Sequence, residues 1–485
     1  MSTAKKLLSG SGASADRINV EDVFNTHMYL GTGSSQNKNN YVDLLNEGGL
    51  IWFKRRNGSH EHGLYDTARG TGKRLMTDQT GPQETDSNGL SAFRDIGFTV
   101  VSADDCNGNS DTYVSWAFRK AEKFFDVVTY TGNGTAGRQI AHNLGTTVGM
   151  LIVKRLDSAG DWSVFHRKLN NGTNSGNYRL ELQSTVAEGT TAHWNNTVPS
   201  STTFTVGDSN TVNGSDNTYV AYLFAHNNND GEYGPNGDLD IIKCGSFDTD
   251  SSGSALVGPN LGWEPQWVMF KNATSTGSGN WWMADTHRGF YSTGYDSATG
   301  KTRYLMADSA SAEGNFNNAS LNLTSTGFTM QSDAFSPGQR FIYMAIRRGP
   351  TKEAEDGPEV FGINAGGSTN YFTVGSISYA LKSPDDLVIV KRRDSTTPAD
   401  QQWAVTDRIR GIEPWTSWTT ASTTSTPTLF THSTNGEATS GSRAGKYPGT
   451  TGNGGGNASS TNILATDLAP GISYWWRRSP KFFDV

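Results

Sequence analysis

Four short apolar runs in this chain end in lysine: LIWFK at 50–54, LIVK at 151–154, WVMFK at 267–271 and LVIVK at 387–391. Lys54, Lys154, Lys271 and Lys391 stand 100, 117 and 120 residues apart, and the segments downstream of each lysine recur in the same order. A second strand-like run comes first: HGLYDTARG at 62–70, WSVFHRKL at 162–169, WWMADTHRG at 281–289 and WAVTDRIRG at 403–411. Then RLMTDQTGPQE, RLELQSTVAE and RYLMADSASAE end at Glu84, Glu188 and Glu313. GFTV at 97–100, FTVG at 204–207 and GFTM at 327–330 form the fourth landmark. Each copy closes on a longer run: TYVSWAF at 112–118, TYVAYLF at 218–224, RFIYMAI at 340–346 and SYWW at 473–476. Self-similarity of this kind marks a repeat architecture, one supersecondary plan used several times. In the fourth copy the third and fourth landmarks are lost within a Ser/Thr/Gly-rich stretch at 415–462.

The landmarks divide the chain into an arm at 1–23 and units at 24–121, 122–228, 238–349 and 357–478, with linkers at 229–237 and 350–356. The phrase KFFDV joins the first unit to the second at 123–127 and recurs at 481–485, after the junction YWWRRSP. At its second occurrence, the segment 479–485 reads as the first strand of a further unit. A longer polypeptide would supply that unit, or a neighbouring subunit would complete its sheet.

The runs are aromatic and β-branched, and Gly, Asn, Ser and Thr fill the intervals, which is the pattern of short strands and turns. Repeats of about 100–120 residues with about eight strands each predict an all-β chain of tandem β-sandwiches, jelly-roll or concanavalin-like, behind a short extended N-terminal arm. The runs before lysine look buried on both faces, whereas TYVSWAF and TYVAYLF alternate more. Each unit is long enough to hold its own core, so the expected molecule is a row of beads. With 13 Trp and 11% aromatic residues, the chain is not of the disordered class.

Charged residues make up 18% of the chain, the net charge is −7, and no long basic run occurs. A nucleic-acid partner, which needs clustered Lys and Arg, is therefore not expected. The N-terminus has neither a signal-peptide pattern nor an apolar membrane span. Cys106 and Cys244 make no disulfide framework, and the histidines show no metal-ligand spacing. No nucleophile elbow or phosphate-cradling loop is present, so no catalytic residue, metal or cofactor is predicted.

Four features invite a site. The Asp-x-x-Arg-Gly element places Asp66 with Arg69, Asp285 with Arg288 and Asp407 with Arg410, and unit 2 has His166 where the Asp would stand. It reads as an ion pair locking a turn, because acid–base catalysis would need a further partner and one active site per repeat. The four lysines are expected to mark where core strands surface, with the ammonium in water. Trp281 and Trp282 must point to opposite faces of a strand, one into the core and the other free to stack on a sugar or a partner. Asp230, Glu232, Asn236, Asp238 and Asp240 offer oxygens suited to calcium but lack the EF-hand spacing, so a solvated linker is the reading.

The phrases KFFDVVTYTGNG, HNLG and IVKR (123–155), YVAYLFAHNNNDGEYGPNGDLDIIKCGSF (219–247) and IYMAIRRGP (342–350) resemble repeat-containing virion structural proteins of tailed bacteriophages of marine bacteria, cyanophages and pelagiphages. The resemblance covers nearly the whole chain from about residue 24. It implies lectin-like or laminin-G-like sandwich modules in a tail protein, and no catalytic residues. The resulting expectation is a tail fibre or a tail, collar or baseplate appendage that contributes to host attachment. It would be made in the host cytoplasm and carried on the virion without membrane insertion. The arm would dock to other virion proteins, and the chain would be a homo-oligomer, a trimer or hexamer. The alternative is a lectin-like adhesin for host-surface saccharide. A polysaccharide depolymerase would need a close carboxylate pair that the sequence does not single out.

Overall fold

A computed structural model describes residues 17–349 apart from 253–257, 276–278, 291–301, 317–320 and 331–336. From the fourth unit it describes the strands Phe361–Ala365, Leu387–Arg392, Trp403–Asp407, Leu429–Phe430 and Gly471–Trp476. Among the described residues 4% are helical and 44% are in strands, arranged in multiple antiparallel sheets, so the chain belongs to the expected all-β sandwich-type class. The first sixteen residues, the linker at 350–356, Arg410, the fourth unit's middle apart from Leu429–Phe430 and the second KFFDV lie outside the described residues.

One sheet order recurs in all four units. An opening strand (Phe24–Leu30, Phe125–Thr131, Ile242–Asp248, Phe361–Ala365) pairs with a closing strand (Thr112–Arg119, Thr218–Ala225, Arg340–Arg347, Gly471–Trp476). The closing strand pairs in turn with the lysine strand (Gly49–Arg55, Val148–Arg155, Pro265–Asn272, Leu387–Arg392). Beyond it lies the second strand (Gly63–Asp66, Ser163–His166, Trp281–Asp285, Trp403–Asp407). Register is conserved across the units: Lys54, Lys154, Lys271 and Lys391 stand opposite Val114, Val220, Ile342 and Ile472. The third landmark of unit 4, untraceable in the sequence, returns as backbone pairing. Leu429 stands opposite Val405, as Leu180 stands opposite Val164 and Leu305 opposite Met283.

The two faces of each main sheet have different fates. In unit 1, Ile51, Phe53, Tyr113 and Ala117 pack against Leu90, Phe98 and Val100 of a smaller sheet, forming the sandwich's own core. Phe247, Phe270, Phe341 and Phe328 do the same in unit 3. Alternate residues on the same strands turn the other way, into a core shared by all three units. There Trp52, Trp116 and Phe118 of unit 1 meet Met150, Tyr222 and Phe224 of unit 2 and Trp267, Met269 and Met344 of unit 3. Phe24 and Phe118 set their ring edges against Trp267, with centroids 6.1 and 5.9 Å away. An antiparallel sheet ordinarily leaves one face to water, and here both are covered. Units 1–3 are therefore not beads in a row. They close on one another around a common apolar centre.

The arm and first linker also belong to this body. The short helix Val20–Val23 buries both valines in the shared core. Gly234 N–H donates to Ile18 O at 2.9 Å and Arg17 Nη1 donates to Pro235 O at 3.0 Å, tying residues 17–18 to the linker between units 2 and 3. Tyr233 is buried, and its hydroxyl donates to Glu122 O. The arm from Arg17 onward and the linker expected to be solvated are thus both structured.

Candidate functional site: the joints between units

His62 and Trp162 stand just before the second strands of units 1 and 2, and Trp281 opens that of unit 3. Each of these rings donates across a joint to the backbone just past the neighbour's third-landmark leucine. His62 Nε2 lies 2.9 Å from Met306 O, Trp162 Nε1 donates to Met76 O at 3.1 Å, and Trp281 Nε1 donates to Glu181 O at 2.9 Å. A backbone bond repeats beside each: Glu313 N to Arg56 O (2.8 Å), Gln83 N to Leu156 O (2.9 Å) and Glu188 N to Ala273 O (2.8 Å). The first bond of each series joins unit 1 to unit 3, the second unit 2 to unit 1 and the third unit 3 to unit 2. The relation is cyclic, a threefold arrangement within one chain.

The lysines serve the same joints. Lys54 Nζ donates to Ala310 O at 3.0 Å, Lys154 Nζ to Thr80 O at 3.1 Å and Lys271 Nζ to Ser184 O at 2.8 Å, each acceptor belonging to the neighbouring unit. All three are buried, and desolvation pulls their pKa values down to about 8. The ammonium groups of Lys154 and Lys271 also lie over the rings of Trp162 and Trp281, 5.9 and 5.4 Å from the centroids. The sequence expectation of ammonium groups in water is therefore corrected for these three, while the side chain of Lys391 lies outside the described residues. Two carbonyl oxygens take the place of water at each, with an aromatic face added at Lys154 and Lys271.

The Asp-x-x-Arg-Gly element is a turn ion pair with a third participant. Asp66 Oδ2 accepts from Arg69 Nε at 2.5 Å and from the Tyr222 hydroxyl of unit 2 at 2.7 Å. Asp285 Oδ2 accepts from Arg288 Nε at 2.6 Å and from Trp116 Nε1 of unit 1 at 3.1 Å. Both carboxylates are fully buried, and the Arg288 guanidinium also covers the Trp116 ring. At the remaining joint His166 replaces the acid, and its Nε2 lies 3.1 Å from Tyr343 O of unit 3. Asp407 occupies the same strand position, opposite Leu387 as Asp66 is opposite Leu50.

The third-landmark glutamates complete two of the joints. Glu313 accepts from Arg56 of unit 1 at 2.7 Å and pairs with Arg288 and Arg303 of its own unit at 3.3 and 3.1 Å. Burial alone pushes its carboxyl up, but Arg56 above all, with Arg288 and Arg303, holds it well below the usual carboxylate range. Glu188 pairs with Arg340 across the joint between units 2 and 3.

Neither tryptophan of the pair forms an open stacking platform. Trp281 is 1% exposed and committed to its joint, while Trp282 is half-buried and stacks on Phe270 of its own core at 5.6 Å between centroids. The linker oxygens do not converge either. Asp240 accepts from the amides of Asn229 and Gly231, Glu232 pairs with Lys123, and Asp230 with the Thr146 hydroxyl. Among the described residues no group of three or more metal-ligating side chains is brought together.

Asn107 and Asn213 organise the loop tips, a role that sequence reasoning missed. Asn107 donates to Ser34 O and Val101 O and accepts from Thr32 N, and Asn213 donates to Thr135 O and Gly207 O and accepts from Asn133 N. At the same tips Gly31 and Gly132 lie so close to Gly108 O and Gly214 O that a Cβ would sit 2.1 Å from either oxygen. The available signal was the matching pair CNGNSDTY and VNGSDNTY, just ahead of the closing aromatics Trp116 and Tyr222.

A family model described as "Domain of unknown function (DUF7483)" matches residues 19–350. That span begins at the cap of the first helix, ends just past the closing strand of unit 3, and leaves out unit 4. No curated protein and no solved structure matches the chain. Among the described residues no helix is long and apolar enough to cross a membrane.

Proposed function

We propose, from the premise that the chain belongs to the family described as a domain of unknown function (DUF7483), that it is a structural component of a tailed-phage virion. Within the virion it acts as part of the tail, a fibre or a tail, collar or baseplate appendage that contributes to host attachment. One observation carries the reading: the repeated polar motif serves to hold units together. Asp66, Arg69, Asp285, Arg288 and the three buried lysines all bond within or across joints, which is the use a load-transmitting scaffold makes of such residues. The resemblance of the repeat phrases to marine phage tail proteins supports the virion assignment.

Saccharide binding through the tryptophan pair gains no support, because Trp281 is committed to a joint. The test is immunolabelling of purified phage particles with antibody raised against this chain, read by electron microscopy. Label on the tail is the expected result. Particles without label, or label confined to the head, would contradict the proposal.

A further inference from the structure

Units 1–3 leave no joint open among themselves. Each gives its second-strand ring and lysine to one neighbour and receives the same contacts from the other, so the ring closes at three. Unit 4 repeats the sheet order and the register, yet no place in that ring remains for it.

The fourth unit also carries both halves of the joint at the matching positions. Asp407 stands where Asp66 and Asp285 stand, opposite the first residue of the apolar run, Leu387. Tyr474 stands opposite Ile389, as Trp116 stands opposite Trp52 and Tyr222 opposite Ile152. Trp403 pairs with Lys391 as Trp281 pairs with Lys271. At two of the ring's three joints the acid of one unit meets the aromatic donor of the next, so a unit with both is complementary to copies of itself.

Exposure points the same way. Trp116, Tyr222 and Met344, the counterparts of Tyr474, are all buried in the shared core, as are Trp52, Ile152 and Met269, the counterparts of Ile389. In unit 4, Tyr474 and Ile389 are only half-buried, and so are Phe361 and Trp476, which pair beside them. The face that units 1–3 cover with one another is therefore left partly open to solvent in unit 4.

We infer that this face of unit 4 binds the fourth units of two further copies of the chain, repeating between chains the cyclic joint that units 1–3 make within one. The protein is then a homotrimer in which three pseudo-threefold bodies are gathered at a true threefold axis. Cyclic symmetry suits the lock, because its two halves differ and close after three steps. The inference stands on register and burial and does not depend on the virion reading.

The test is the mass of the full chain in solution by sedimentation across a concentration series. The expected mass is three times the 52.4 kDa of one chain. A mass of one chain or of two at tens of micromolar would overturn it. Ile389→Asp should reduce the mass to one chain while the thermal transition of units 1–3 stays in place, and a variant that remains trimeric would overturn the assigned face. Should that substitution unfold unit 4, Tyr474→Phe removes only a hydroxyl at the lock position. It should weaken association about tenfold, the loss of one hydrogen bond to a charged group, and an unchanged dissociation constant would count against the lock.

Discussion

His62 and His166 are fully buried, and each is held neutral by its partners. The Nδ1 atom of His62 accepts from Trp52 Nε1 at 2.8 Å and that of His166 from Lys168 N at 3.2 Å, so the remaining proton sits on Nε2 and points across a joint. Protonating Nδ1 would set a new N–H against an existing one. Burial, the largest cause, lowers the pKa of both, that of His166 to about 3. A base whose folded pKa lies below its unfolded value of 6.5 favours the native state above pH 6.5. That advantage is lost as pH falls toward 3. At pH 5 His166 should cost about 2 kcal/mol, given about 1.4 kcal/mol per pH unit, and His62 acts in the same direction. Urea midpoints should fall between pH 6.5 and 5, and His166→Gln should make that decline shallower. A variant with an unchanged acid limb would remove His166 from the account. The sequence showed His166 in the place of an acid, but the loss of charge at that joint became legible only once Tyr343 O was found against it.

The closing strands of units 1–3 act as elements rather than as sets of residues, since each is an inner strand of its sheet and is buried on both faces. On Thr112–Arg119, Tyr113 and Ala117 face the unit's own core while Val114, Trp116 and Phe118 face the shared one. Pleating fixes this division, because successive side chains point to opposite faces. Trp116 therefore couples two units through Asp285. A double-mutant cycle of Trp116→Phe with Asp285→Ala should give a coupling energy of about 0.5–3 kcal/mol, measured by chemical denaturation. Additive effects would mean that the bond does not join the units. Strand positions and the sandwich class were readable from apolar runs and turn residues. The third landmark of unit 4 was not, because Leu429 lies 26 residues beyond Trp403, against 18 between Trp162 and Leu180 and 24 between Trp281 and Leu305.

At the scale of the molecule, a row of beads and a closed ring carry the same repeat, so the repeat alone could not distinguish them. The difference lay in the burial pattern of the strands. Antiparallel strands apolar on both faces need a second cover, and a sandwich supplies only one. The joints account for the rest, since the lysines and the Asp-x-x-Arg turns are polar groups whose burial is tolerable only with partners, and the partners lie in neighbouring units. Three units sharing one core should unfold together, as sandwiches connected only by linkers would not. The direct test is native-state hydrogen exchange across a denaturant series, following Thr112–Arg119, Thr218–Ala225 and Arg340–Arg347. The ring predicts one common opening free energy, with one denaturant dependence, for all three strands. Three separate values, each no larger than a single sandwich would give, would contradict it.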